Sequence, residues 1–201
     1  MTTVSGDWTK IDYTRLTMPD IRAGLEDVAQ QAHGTFGNLE GRQLNWRPDA
    51  TRWSIAQCFD HLLTADRLMV RAAQDALHQG QARTVWQHLP MWPRVLGRLL
   101  VRSQTPGAAR KFTASPLATP AASDIPSDVI LQFIGERREV AASLQRLDER
   151  LADRTIMTSP FSAFITYSVL DGCRLMLAHD RRHFEQARRV LLSQGFPPGA
   201  R

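Results

Sequence analysis

Four stretches of this 201-residue sequence repeat their apolar residues at alternating steps of three and four, the spacing of one face of a helix. The first stretch starts near Met18, with Pro19 suited to a first helical turn and Gly41 expected at the C-terminal end. Its apolar stripe comprises Met18, Ile21, Leu25, Val28, Ala32, Phe36 and Leu39. No stretch alternates apolar and polar residues in the manner of a half-buried strand. The pattern therefore predicts an all-α fold.

The second and third helices have equally clear sequence signals. The second is expected to begin at Ser54, which can form a capping box with Gln57, and to end near Gln79. The third is expected to begin within residues 124–127, and its apolar residues recur at heptad steps as far as Leu151. Each helix would therefore present one apolar face to a shared core.

The fourth helix is expected to begin at Ser168, with Asp171 completing an N-terminal capping pair, and to end before Gly195. A loop over residues 152–167 would connect it to the third helix. Four amphipathic helices without an internal repeat predict one domain over residues 1–201, folded as a four-helix bundle. A chemical site in such a fold would lie between the helices.

The segment 80–123 differs from its flanks in proline content and charge. The chain has a net charge of +5, but this segment holds six basic residues and no acidic one, whereas residues 1–79 and 124–201 nearly balance. General nucleic-acid binding is therefore disfavoured. We interpret the segment as a basic insert between helices two and three, with one short helix from about Trp92 to Arg102.

The predicted short helix carries a basic stripe beside apolar residues. The stripe consists of Arg94, Arg98 and Arg102. A lid or packing insert with a solvated basic face is the favoured interpretation. A helix at the mouth of a site that attracts an anionic substrate is an alternative, and contact with a membrane surface or with nucleic acid is a less favoured one.

Cys58 and Cys173 are too few for a disulfide framework, and both fall in apolar helical patterns that favour reduced core thiols. The first ten residues lack the apolar run of a signal peptide, and no run of about 18 apolar residues would span a bilayer. These features predict a cytoplasmic protein.

Three histidines lie on apolar helix faces. His179 and His183 are four residues apart, so their Cβ atoms would lie about 5–6 Å apart on the same face. His61 lies in the apolar stripe of the second helix. Three neutral imidazoles can bind one divalent metal and leave positions for water or substrate, although hydrogen-bonded core histidines fit the spacing equally well. The remaining histidines, which we place outside this site, are His33, His78 and His88.

The flanking sequences resemble the DinB/YfiT-like superfamily over most of the chain. The resemblance rests on WRPD at 46–49, WSIAQCFDHL at 53–62 and HDRRHFEQ at 179–186. It implies an up-down-down-up four-helix bundle in which a divalent metal is bound by His61, His179 and His183. Zinc or nickel is favoured, with manganese or iron as alternatives. The resemblance also implies S-transfer or isomerisation that depends on a low-molecular-weight thiol, or metal-assisted hydrolysis.

Three further residues are candidates for a catalytic role. Gln57 lies one turn before His61 and could bond a ligand, although helix capping is at least as good an interpretation. Arg137 interrupts the apolar stripe of the third helix and must pair, extend to solvent or face a wet cavity, since unpaired burial costs several kcal/mol. Asp180 follows His179 as the general base follows the first histidine of H-E-x-x-H, but a supporting or surface role is favoured.

The sequence favours a divalent-metal enzyme that activates a thiol or water for transfer to, or hydrolysis of, a small-molecule substrate. The alternative is a noncatalytic helical module that binds a ligand or partner and has a structural metal or none. Cys58 is a weak candidate for a metal ligand, because a buried cysteine is usually apolar filler. A homodimer is compatible with either hypothesis.

Overall fold

The computed structural model describes residues 8–79, 92–108, 115–120 and 124–199. This part of the chain is mostly helical and contains one small antiparallel sheet. The helices are α1 (Met18–Phe36), α2 (Gly41–Leu44), α3 (Ile55–Gln79), α4 (Trp92–Gln104), α5 (Val129–Leu144), α6 (Glu149–Arg154) and α7 (Val169–Leu191), and the strands are β1 (Ile156–Ser159) and β2 (Ser162–Ser168). Among the described helices, none combines the length and the apolar character required to cross a bilayer.

The four long helices α1, α3, α5 and α7 enclose the core. Helices α1 and α3 each contact both α5 and α7. Four phenylalanines, one from each long helix, meet edge to face with ring centroids 4.9 to 5.4 Å apart. They are Phe36, Phe59, Phe133 and Phe184. Edge-to-face aromatic contacts stabilise a fold beyond the burial of apolar area, so these rings stabilise the packing of the four helices against one another.

The predicted starts of α3 and α7 are confirmed by their capping bonds. The Ser54 backbone N–H donates to the Gln57 side chain at 3.0 Å, and the Gln57 N–H donates to the Ser54 hydroxyl at 3.1 Å. The Asp171 N–H donates to the Ser168 hydroxyl at 3.1 Å. Both serines are buried, so these bonds satisfy N–H groups that water could not reach.

The predicted end of the first helix was wrong. Helix α1 ends at Phe36, and Gly41 begins α2 instead of ending α1. The glycine at position 37 weakens the last turn, and the Glu40 backbone N–H donates to the Gln43 side chain at 3.0 Å as part of a new capping box. This local cap begins a separate short helix.

The predicted extent of the third helix was also wrong. Helix α5 ends at Leu144, whereas Leu151 lies in the separate helix α6 and is 51% exposed. The Asp148 carboxylate accepts a hydrogen bond from the Leu151 N–H at 2.8 Å and so caps α6. The heptad spacing of apolar residues therefore continues across residues 145–148, which separate the two helices.

Residues 152–167, predicted as a loop, contain the end of α6 and most of a β-hairpin. Met157 pairs with Tyr167, and both side chains are buried. The strand β1 has only four residues, too few for a clear alternating pattern, which is why the sequence analysis missed it. The second strand leads directly into α7 and packs against α4.

The short helix predicted in the insert is confirmed as α4. It packs on α7 and β2 through Pro93, Gly97 and Val101. A Cβ atom at position 97 would overlap the Asp171 carboxylate, so only glycine permits this close approach. The three arginines of its basic stripe are exposed on the other side, and Arg94 pairs with Asp153 at 3.4 Å. The insert residues 80–91, 109–114 and 121–123 lie outside the described part of the chain.

Cys58 and Cys173 are buried free thiols, and burial raises the pKa of each to about 12. We therefore expect the folded protein at pH 8 to react with a thiol-specific disulfide reagent about a thousandfold more slowly than denatured protein, because so little thiolate is present. Raising the pH to 9 should leave the folded protein slow. Absorbance after reagent addition, with and without guanidinium, measures both rates, and fast labelling of folded protein would contradict the expectation.

Candidate metal centre

The three predicted histidines come together between α3 and α7. One ring nitrogen from each of His61, His179 and His183 lies within 4.8 Å of the other two. The Nε2 atoms of His61 and His179 are 3.2 Å apart. The three ring centroids lie 4.6 to 5.0 Å apart, with the rings at steep angles to one another. This is the only group of potential metal ligands found in the described residues.

The insert orients His61. The ring Nδ1 of His61 lies 2.5 Å from the backbone carbonyl oxygen of Ala118, which belongs to a 3₁₀ turn at Pro116–Ala118. Since a carbonyl can only accept, Nδ1 carries the proton and donates, and the Nε2 lone pair faces His179. The sequence contained no signal for this contact, because a backbone carbonyl 57 residues away makes it.

Burial keeps all three imidazoles neutral. It lowers the pKa of His179 to about 3 and, together with the neighbouring imidazoles, lowers that of His183 well below its usual range. The pKa of His61 is lowered by burial and raised in part by its bond to Ala118. Neutral imidazole is the form that binds metals, because its lone pair is not occupied by a proton.

The ring Nδ1 of His183 is buried without a hydrogen-bond partner within the described residues, while the Gln186 side chain bonds to the same imidazole and raises its pKa in part. A buried nitrogen without a partner costs about 1–3 kcal/mol of stability. Coordination of a metal ion by the His183 ring, directly or after the ring turns towards the ion, would offset that cost. Together with the neutral state of the cluster, this unmet nitrogen shows that the residues present fit a divalent metal. Imidazole ligands suit zinc, nickel, iron and copper.

An aromatic side chain packs against the histidines. The Trp53 ring stacks on His183 with centroids 5.7 Å apart and planes 21° apart, and it tilts against His61 at 5.0 Å. From the sequence, Trp53 is identified only as the first residue of the motif at 53–62. Its position directly before the Ser54 cap places it at the start of α3, where it shields and positions two of the imidazoles.

Arg137 is buried and forms ion pairs, which is one of the three alternatives that the sequence left open for it. Its Nη1 lies 2.8 Å from Asp66 and 3.1 Å from Asp180, and all three side chains are at most 1% exposed. Burial raises the pKa of both carboxyls, the guanidinium of Arg137 opposes that rise, and the two carboxyls also interact with each other. These ion pairs join α3, α5 and α7 directly behind His179.

Of the three predicted catalytic candidates, none borders the cavity. Gln57 caps α3, while Arg137 and Asp180 bind each other behind the histidines. Asp66 was missed by the sequence analysis, yet it does border the cavity. The sequence did contain a signal for it. Asp66 follows Leu62 by four residues and so lies on the apolar stripe, where a charged residue needs a partner.

Two other predictions concern residues expected to lie outside the ligand set or to be weak candidates for it. Cys58 is not part of the ligand cluster in the described residues. His33 and His78 are exposed and away from the cluster, as predicted, and His88 lies outside the described residues.

A cavity of about 1020 Å³ opens beside the histidines. All three imidazoles border it, together with residues from α3, α4, α7 and the hairpin. A volume of this size is at the upper end of the range for small-molecule sites. A metal bound by the histidines would therefore face a space that admits a substrate-sized molecule.

Comparison with known proteins agrees with this geometry. The family model of the DinB superfamily matches residues 24–187, which include all three histidines. No curated protein and no solved structure matches the chain significantly. The matched region covers most of the sequence, and the chain therefore belongs to the DinB superfamily.

Proposed function

We propose that this protein is a divalent-metal enzyme that activates water or a low-molecular-weight thiol for hydrolysis of, or transfer to, a small molecule. One observation carries the proposal: three neutral histidines converge at the wall of a cavity large enough for a substrate. We further propose that α1, α3, α5 and α7 form an up-down-down-up bundle around this site.

In this proposal His61, His179 and His183 bind the metal, with zinc or nickel favoured. A bound divalent ion would lower the pKa of a water molecule or thiol that it coordinates, so that a nucleophile is available at neutral pH. The Ala118 carbonyl keeps the proton of His61 on Nδ1, and Trp53 holds two of the rings in place. The chain thus supplies three oriented donors beside a partly apolar cavity.

A noncatalytic module with a structural metal is the competing hypothesis. Structural zinc sites are closed by four protein ligands, whereas the cluster in the described residues has three. The adjoining cavity fits a bound ligand under either hypothesis. The number of ligands is therefore the observation that favours an enzyme, with a substrate entering beside the histidines.

The test is a turnover assay of zinc- and nickel-loaded protein, purified without an affinity tag. A panel of cellular thiols is incubated with a generic electrophile and thiol loss is followed, and a panel of amides and esters is assayed for hydrolysis in parallel. We expect metal-dependent turnover in one panel, reduced at least about a hundredfold in His61→Ala. The variant His33→Ala, which changes an exposed histidine, should retain full activity. Absence of metal-dependent turnover in both panels would favour the noncatalytic module.

A further inference from the structure

The cavity beside the histidines has two chemically different ends. Helix α7 borders it from Leu175 to Val190, a length of about 22 Å at the helical rise of 1.5 Å per residue. His179 and His183 lie midway along this border. On α3, His61 faces these two histidines, while Met69 lies near Gly172. The two helices are thus antiparallel here, and both place the imidazoles between the two ends.

One end of the cavity is apolar. Its walls are formed by Met69, Leu100, Phe161, Ile165, Tyr167 and Met176. The Tyr167 hydroxyl already donates to the sulfur of Met69 at 3.2 Å, and burial raises its pKa to about 12, so it stays neutral. Asp66, at the same end, is compensated by Arg137 at 2.8 Å. This end therefore favours an apolar group over a charged one.

The opposite end is basic. Arg52 and Arg189 border the cavity there, and Arg182 borders it beside the histidines. Arg52 pairs with Asp49 at 2.9 Å, and the one acidic residue on this part of the border, Glu185, pairs with Arg188 at 3.6 Å. Arg182 donates to the uncharged backbone carbonyl of Ser103 at 3.0 Å. Basic side chains therefore outnumber acidic ones on this part of the cavity border, and an anion placed there would accept charge-assisted hydrogen bonds from guanidinium groups.

We propose that the cavity binds an amphipathic carboxylate, with the carboxylate at the arginine end and an aliphatic or aromatic tail at the methionine end. The molecule would pass the three histidines, which places its middle section beside the metal. This inference rests on the proposed function and deepens it, since it names the substrate class of the same site. The length of the border is enough for a chain of about ten or more carbon atoms.

Isothermal titration with straight-chain carboxylates tests the inference. Butanoate, hexanoate, octanoate and decanoate are titrated into zinc-loaded and metal-free protein, with octan-1-ol as the uncharged comparison. Each added methylene buried at the apolar end contributes about 0.8 kcal/mol, so we expect Kd to fall about fourfold per methylene. Octanoate should bind at least about tenfold more tightly than octan-1-ol.

Two variants separate the ends of the cavity. Arg189 is exposed at the rim, so Arg189→Gln should fold normally and weaken octanoate about fivefold to tenfold without changing octan-1-ol. Leu100→Gln, in a partly buried position, should flatten the dependence on chain length. Arg71→Gln makes the same charge change at an exposed position outside the cavity lining and should leave both ligands unchanged.

The outcomes distinguish this inference from the proposed function. If zinc does not bind, the proposed function fails, while the metal-free titrations still test the ligand class. If zinc binds but octanoate and octan-1-ol bind equally, the inference is overturned and the proposed function stands. The inference also fails if Arg189→Gln leaves octanoate binding unchanged, because the carboxylate would then lie elsewhere.

Discussion

The variant His183→Ala is expected to lose the divalent metal. Removing one of three ligands should weaken zinc binding more than about a hundredfold, since even the loss of a residue that only orients a ligand costs tenfold to a hundredfold. At a zinc concentration about a hundred times Kd, the wild-type protein should gain roughly 2.7 kcal/mol of stability from the ion. The variant should gain almost none at that concentration.

Metal content by elemental analysis and thermal unfolding with and without zinc measure these two effects. The matched control is His33→Ala, because His33 is exposed and outside the cluster. It should bind zinc as tightly as the wild type and show the same rise in Tm. If His183→Ala retained a full equivalent of zinc and the wild-type rise in Tm, the three-histidine centre would be wrong.

The second large effect is expected from Arg137→Met. Methionine would fill much of the same space but leave the acidic pair Asp66 and Asp180 buried without the opposite charge. Removing one partner of a buried ion pair typically costs 3–5 kcal/mol. For a domain of this size, each kcal/mol shifts Tm by roughly 2–4 °C, so we expect a decrease of about 6–20 °C.

Two companion variants show whether charge is the cause. Adding Asp66→Asn and Asp180→Asn to Arg137→Met removes the uncompensated acids and should restore most of the lost stability. Arg138→Met changes the next residue, which is exposed, and should alter stability by less than about 0.5 kcal/mol. Equal losses in the single and triple variants would mean that packing, not charge, dominates at this position.

The predictable part of the fold was encoded in local patterns. The starts of α3 and α7 were correct because a serine and a residue three positions later complete each cap. The ends of α1 and α5 were wrong because apolar spacing continues through Gly37 and past Leu144, where new capping bonds begin separate helices. Periodicity records which residues face the core, but not whether one helix or two carries them.

The candidate site also has features that the sequence could predict and features that it could not. His179 and His183 could be paired from the sequence, since four residues on a helix fix their common face. Arg137 could be recognised as a residue that needs a partner, but the identity of that partner could not. Its acids lie 71 and 43 residues away, on two other helices.

The amino-acid pattern alone was sufficient for the helical class, the positions of the long helices and the three candidate ligands, because helical periodicity and capping depend on neighbours within about four residues. The carbonyl that orients His61, the acids that compensate Arg137 and the two-ended cavity follow only from how the helices, hairpin and insert pack. Those contacts join residues tens of positions apart in the sequence. The distances between these groups, and the loss of water around them, are therefore set only when the chain folds.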